Sequence, residues 1–120
     1  MVNIDEVCDN ILKINPKIRY VGIYYQGTYS SKTRLGMKSL LKEDEIKNSV
    51  INAVRRWETR LLLAKSLGNA IYSMTKYEKV NRITFPIGED GLILVSTEKE
   101  LDPNSISDEI LNIRKKSFKI

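Results

Sequence analysis

The fold is decided by residues 44–67, DEIKNSVINAVRRWETRLLLAKSL, in which apolar side chains recur every three or four positions. These positions are Ile46, Val50, Val54, Trp57, Leu61, Ala64 and Leu67. The spacing predicts one continuous helix with an apolar face. Asp44 and Glu45 suit its positive N-terminus, and Gly68 suits its end. At about 1.5 Å per residue this helix would be roughly 36 Å long, which is enough to cross a small sheet.

Before this helix, the sequence predicts a shorter helix and a β-hairpin. Residues 3–15 carry apolar side chains at helical spacing, with Asn3 as the N-cap and a proline after the end. Residues 18–25 alternate as a strand does, which places Ile18 on the same face as Tyr20. Residues 28–33 are the predicted hairpin partner, and residues 34–42 are expected to be irregular.

After the helix, the sequence predicts three strands and a last helix. The strands are expected at residues 70–75, 80–87 and 92–97. Asp102 and Pro103 predict the start of the last helix, which is expected to fray over residues 115–120. The order α-β-β-α-β-β-β-α favours a single α/β (α+β) domain over residues 1–120. Because strands arrive in runs, we expect an antiparallel sheet of about five strands covered by helices.

The composition of the 120 residues limits the chemistry that the protein can perform. Hydrophobic residues make up 42% and charged residues 29%, as in soluble globular domains. The chain has no His and one Cys, which excludes His-based catalysis, His-ligated metals, an internal disulfide and a Cys-cluster zinc site. It lacks the roughly 20 consecutive apolar residues of a membrane helix, and a lone Cys fits a reducing compartment. We therefore expect a cytoplasmic protein without a transmembrane segment.

Two features that could carry chemistry have simpler structural interpretations. Gly88 and Gly91 flank two acids that would repel a phosphate, so this loop is interpreted as a hairpin turn. Cys8 lies on the apolar face of the first predicted helix, where burial favours core packing over a role as nucleophile. We therefore predict no catalytic residue, no cofactor and no metal site.

Basic residues are unevenly distributed along the chain, which has a net charge of +5. Residues 13–38 contain no acid, and three arginines cluster within two turns of the long helix. Two interpretations remain open: a polyanion-binding face with tyrosines for base stacking, or an ordinary solvated surface. The candidate polyanion face consists of Lys32, Arg34, Lys38, Arg55, Arg56 and Arg60.

The apolar surface of the long helix is wider than packing on one sheet requires. Trp57 is interpreted either as a core anchor or as the anchor of a dimer interface, since Trp is enriched in both places. Leu62 and Leu63 extend the apolar stripe toward the outer side, which favours a partner. The candidate dimer or partner interface consists of Val50, Val54, Trp57, Leu61 and Leu62.

Several short stretches resemble a family of small archaeal proteins. They are Tyr20-Val21-Gly22-Ile23, Gly36-Met37-Lys38, Leu67-Gly68-Asn69-Ala70, Ile83-Thr84-Phe85-Pro86-Ile87-Gly88 and Leu92-Ile93-Leu94-Val95-Ser96-Thr97-Glu98. The element order resembles the roadblock (dynein light-chain) family and its profilin-like relatives. That resemblance implies a five-stranded antiparallel sheet between a long helix and terminal helices, and a dimer in which the long helix pairs with its twin.

Three functions follow as hypotheses from these observations. The favoured one is a non-catalytic, homodimeric interaction or regulatory module of the scaffold type, with a protein partner. The first alternative is a nucleic-acid-binding protein that uses the basic face, whose affinity would fall steeply with salt. The second alternative is a sensory domain that holds a small ligand between the sheet and the long helix.

Overall fold

The computed structural model describes residues 2–120, which form a five-stranded antiparallel sheet and four helices. The helices are α1 (Ile4–Leu12), α2 (Glu43–Leu61), α3 (Ala64–Leu67) and α4 (Asn104–Phe118). The strands are β1 (Ile18–Tyr25), β2 (Thr28–Thr33), β3 (Ser73–Lys76), β4 (Val80–Ile87) and β5 (Gly91–Glu98). They lie in the order β2-β1-β5-β4-β3, so β2 and β3 form the two edges. The predicted fold class and element order are confirmed, with α3 as an additional short helix.

The first hairpin and the first helix form as their local sequences predict. Gln26 and Gly27 connect β1 to β2 with φ angles of 49° and 82°, as a tight two-residue hairpin turn requires. At the start of α1, the backbone N–H of Glu6 donates to Asn3 Oδ1 at 3.1 Å, which confirms Asn3 as the N-cap. Local chemistry therefore explains both the register of β1 and β2 and the start of α1.

Helices cover both faces of the sheet. On one face, α1 and α4 contribute Ile11 and Ile110 to a core that includes Phe85, Ile93 and Val95 of the sheet. All five side chains are almost completely buried. Helix α2 covers the other face. Strand β5 is aliphatic on both sides because it lies in the middle of the sheet, between these two layers.

Strand β1 contains a β-bulge that changes which of its residues share a face. Its pairing with β5 shifts between Ile18 and Tyr20, so that Arg19 is the additional residue. Ile18 is consequently buried with Val21 in the core under α1 and α4. The predicted strict alternation, which placed Ile18 with Tyr20, is therefore wrong at this end of the strand.

Helix α2 ends at Leu61, so the prediction of one continuous helix over residues 44–67 is wrong. The backbone N–H groups of Leu62 and Leu63 donate to carbonyl groups three residues back, at 3.2 and 3.1 Å, and the short helix α3 follows. Trp57 still rests on the sheet, whereas Leu62 is 82% exposed. Because tertiary packing supplies most of a helix's stability, α2 ends where its apolar face leaves the sheet.

The C-terminal part of the chain also differs from the prediction. Strand β3 begins at Ser73 rather than at residue 70. Helix α4 continues to Phe118, although residues 115–120 were expected to fray. The reason is a tertiary contact: the ring of Phe118 packs edge-on against Tyr25, with 4.9 Å between ring centroids.

Candidate partner interface

The inner face of α2 is committed to its own sheet. Val50 and Trp57 are buried against Leu92 and Leu94 of β5, and Val54 is half-buried beside them. Of the two interpretations of Trp57, the structure of the chain favours the core anchor. These three members of the predicted interface therefore support the fold of the chain itself.

Five of the exposed apolar side chains lie at the end of α2 and shortly beyond it. We name these residues the leucine patch: Leu61, Leu62, Leu63, Leu67 and Ile71. Leu62 and Leu67 are 82% and 78% exposed, respectively. Leu61 and Leu62 of the predicted interface belong to this patch, but Leu67 was assigned to the buried stripe and Ile71 was missed. The run of three leucines just before a helix stop is the sequence signal that marks the patch.

Arg60 places the leucine patch beside the edge of the sheet. Its Nη2 donates to Ser73 Oγ of β3 at 3.1 Å, and its guanidinium lies 5.0 Å from the centroid of the Trp57 ring. Strand β3 is an edge strand, paired with β4 on one side. The end of α2 therefore lies above β3, so that an apolar patch and a sheet edge share one side of the molecule.

Two of the predicted polyanion-binding residues have structural roles on the opposite face of the sheet. Lys32 Nζ donates to both carboxylate oxygens of Asp9 on α1 at 3.0 Å, and this hydrogen bond raises the pKa of Lys32. The guanidinium of Arg34 donates to three backbone carbonyl groups where α1 ends and β1 begins. Lys32 and Arg34 therefore stabilise the packing of α1.

The six predicted basic residues do not form one surface. Arg55 and Arg56 are exposed on α2, which covers the face away from Lys32 and Arg34. Arg60 is half-buried over Trp57, as described above. Lys38 is exposed in the irregular segment that precedes α2. The set is thus divided between the two faces of the sheet.

The tyrosines that could stack on bases are half-buried. Tyr24 and Tyr29 pack against the core under α2, and Tyr25 packs against Phe118. The hydroxyl groups of Tyr20 and Tyr29 hydrogen-bond to each other. Burial, followed by this hydrogen bond, raises the pKa of Tyr29. These side chains act as core and not as an exposed stacking platform.

Cys8 is a core residue, as predicted. It is fully buried, and burial raises the pKa of its thiol to about 11. A thiol that stays protonated is a poor nucleophile and a poor metal ligand. Among residues 2–120, no three acidic or Cys side chains lie close enough together to hold a metal ion. None of the helices in this described part is both long and apolar enough to cross a membrane.

The comparisons with known proteins identify the fold. No family model and no curated protein matches the chain in sequence. The roadblock/LC7 domain from Streptomyces avermitilis matches with a TM-score of 0.71 and 11% identity, over 93% of this chain and 92% of that one. A structure of MglB with a tetrameric arrangement matches with a TM-score of 0.74 and 15% identity, over 96% and 85%. The gliding protein MglB from Thermus thermophilus gives a TM-score of 0.68 at 14% identity, over 95% and 84%.

The chain therefore has the roadblock/LC7 fold, as the resemblance in element order implied. All three similarities are between proteins of low sequence identity, and many functions are carried by one fold. The function of this chain must therefore be inferred from its own surface.

Proposed function

We propose that this protein is a non-catalytic, homodimeric interaction module of the scaffold or regulatory type. The observation that carries the proposal is the leucine patch beside the open edge of β3. Contiguous exposed apolar surface commonly marks a site of protein–protein contact. An edge strand offers unpaired backbone groups to another strand. A second copy of the chain satisfies both features at once.

The outer side of α2 is also compatible with a second copy of itself. Ile51, Arg55, Glu58 and Leu62 follow each other at helical spacing and are exposed. A two-fold axis perpendicular to the helices pairs them antiparallel, and in that arrangement Arg55 of one copy can approach Glu58 of the other. Neither residue has an ion-pair partner within residues 2–120 of its own chain.

The solved structures add support of a general kind. One of the proteins with this fold is described in a tetrameric arrangement, so the fold is compatible with self-association. The lack of His and the buried, protonated Cys8 leave few groups that could act as a base or nucleophile near neutral pH. Both observations favour a protein that acts by binding.

Sedimentation velocity over a range of about 1 to 100 µM protein tests this proposal. We expect the wild-type chain to be a dimer and Leu62→Asp to weaken the dimer by about 30-fold or more, because a charge would be buried in the contact. Leu35→Asp is the matched control, because Leu35 is 97% exposed in the segment between β2 and α2, outside the leucine patch. A wild-type chain that stays monomeric throughout, or equal effects of the two substitutions, would overturn the proposal.

A further inference from the structure

The space between α2 and the sheet is open at the N-terminal end of the helix. Under the C-terminal half, Trp57 and Ala53 pack against Leu94, and a pocket of about 100 Å³ remains beside them. Under the N-terminal end, a cavity of about 570 Å³ remains between the helix, residues 38–41 and the turn between β3 and β4. Its floor includes the short side chains of Thr33 and Ser96, which leave the layer unfilled.

The walls of this cavity combine apolar and basic side chains. Leu40, Leu41 and Ile46 supply apolar surface, and most of the exposed lining is apolar. Four basic side chains face the same space, against one acid. The charged lining residues are Arg19, Lys38, Lys79, Arg82 and Glu78.

Arg82 has the most free hydrogen-bonding capacity among the half-buried bases of this cavity. Arg19 is already paired, since its guanidinium donates to Glu98 Oε1 at 3.0 Å and to the carbonyl oxygen of Lys38 at 3.1 Å. Arg82, which extends from β4 toward α2, has one hydrogen-bond partner among the described residues, Ser49 Oγ at 3.3 Å. A guanidinium has five N–H donors, so Arg82 can still bind a planar or tetrahedral oxyanion.

We propose that this cavity binds a small organic anion with an apolar body, and that Arg82 binds its anionic group. The volume lies within the range of about 300 to 1,000 Å³ that is typical of small-molecule sites. The apolar wall fits the body of such a ligand, and the excess of positive charge fits its anionic group. The site is separate from the leucine patch, so the proposal is independent of the proposed dimer. It gives the sensory hypothesis a location and a ligand class.

The charge requirement can be tested with two dyes that share the same ring system. 1-Anilinonaphthalene-8-sulfonate carries a sulfonate, whereas N-phenyl-1-naphthylamine lacks it, and both fluoresce when bound to apolar surface. We expect Arg82→Gln to weaken binding of the sulfonate dye by about tenfold or more and to leave the uncharged dye nearly unchanged. Lys13→Gln removes an exposed positive charge at the end of α1, on the other face of the sheet; it is the matched control and should change neither.

A second variant tests the location of binding. Ser96→Phe places a ring on the floor of the cavity and should reduce binding of both dyes, and Thr33→Phe serves the same purpose if that variant does not fold. Measurements on the Leu62→Asp background reduce dye binding to the leucine patch and the effect of dimerisation, and the variants compared on this background differ only at the cavity. Failure of the proposed dimer therefore does not affect this result.

Three results would overturn the cavity proposal. The first is no binding of the sulfonate dye up to about 1 mM. The second is equal loss of both dyes in Arg82→Gln. The third is undiminished binding in the folded variant that fills the cavity.

Discussion

Replacing Arg34 by alanine should destabilise the fold without removing a partner contact. Arg34 Nε donates to the carbonyl oxygen of Ile18 at 2.7 Å. Its Nη2 donates to the carbonyl oxygen of Asn15 at 2.9 Å and also to that of Leu12. Hydrogen bonds to charged groups contribute about 1.5–3 kcal/mol each, but water can replace part of this loss because Arg34 is half-buried. Counting between one and two bonds as lost at about 2 kcal/mol each, we expect the free energy of unfolding to fall by about 2–4 kcal/mol.

Urea denaturation, followed by the fluorescence of the single Trp and by circular dichroism at one protein concentration, measures this change. Arg34→Lys keeps the charge but reaches fewer carbonyl groups, so its loss should be intermediate. Lys13→Ala is the control: its side chain is exposed outside the proposed dimer contact, and we expect a change within about 0.5 kcal/mol. If Arg34→Ala also stays within about 0.5 kcal/mol of the wild type, the structural role assigned to Arg34 is refuted.

Three further substitutions test the packing and the titration of the core. A Cβ at Gly91 would lie 2.0 Å from a backbone oxygen of β1, so Gly91→Ala should lower the free energy of unfolding by about 2–3 kcal/mol. Gly27→Ala should lower it by only about 1 kcal/mol, because the space around Gly27 is open and the cost is that of its positive φ angle. Equal losses in urea unfolding would contradict this prediction. Because the pKa of Cys8 rises from 9.0 to about 11 on folding, the contribution of the protonated thiol to stability is full below pH 9 and is lost as pH rises toward 11. The difference in the free energy of unfolding between the wild type and Cys8→Ala should therefore shrink over this pH range. A constant difference would contradict the effect of burial on this pKa. Phe118→Ala should lower the free energy of unfolding by about 2–4 kcal/mol, measured by thermal or urea unfolding. Ile120 is half-exposed, so Ile120→Ala should lower it by less than about 1 kcal/mol. Similar values for the two variants would mean that the end of α4 does not pack against the sheet.

The strands were the most predictable part of the fold. The predicted residues 18–25, 28–33 and 80–87 agree with β1, β2 and β4 at both ends. The ends of these strands can be recognised in the sequence, because turn residues flank each strand. Within the strands, polar and apolar side chains alternate or the side chains are apolar throughout. The bulge in β1 has no such local signal. It depends on how β1 meets β5, which lies far along the chain.

The candidate site was predicted in part. Helical spacing identified α2 and its apolar side chains, including Leu61 and Leu62. Helical spacing could not show which of these side chains contact the sheet and which are exposed to solvent, because the same apolar stripe continues beyond the point where the sheet ends. The basic residues illustrate the same difficulty. Lys32 and Arg34 look like surface charges in the sequence, and their partners become visible only when α1 lies against β2.

The order of residues alone therefore determines the set of secondary-structure elements and the antiparallel class of the fold. It also excludes His-based and zinc chemistry and shows an excess of apolar surface on the long helix. These properties depend on short-range periodicity and composition. The place where α2 stops, the sharing of Arg34 among three carbonyl groups and the cavity around Arg82 arise from the three-dimensional arrangement. Each depends on residues that are distant in sequence, and contacts between distant segments leave no periodic pattern in the chain.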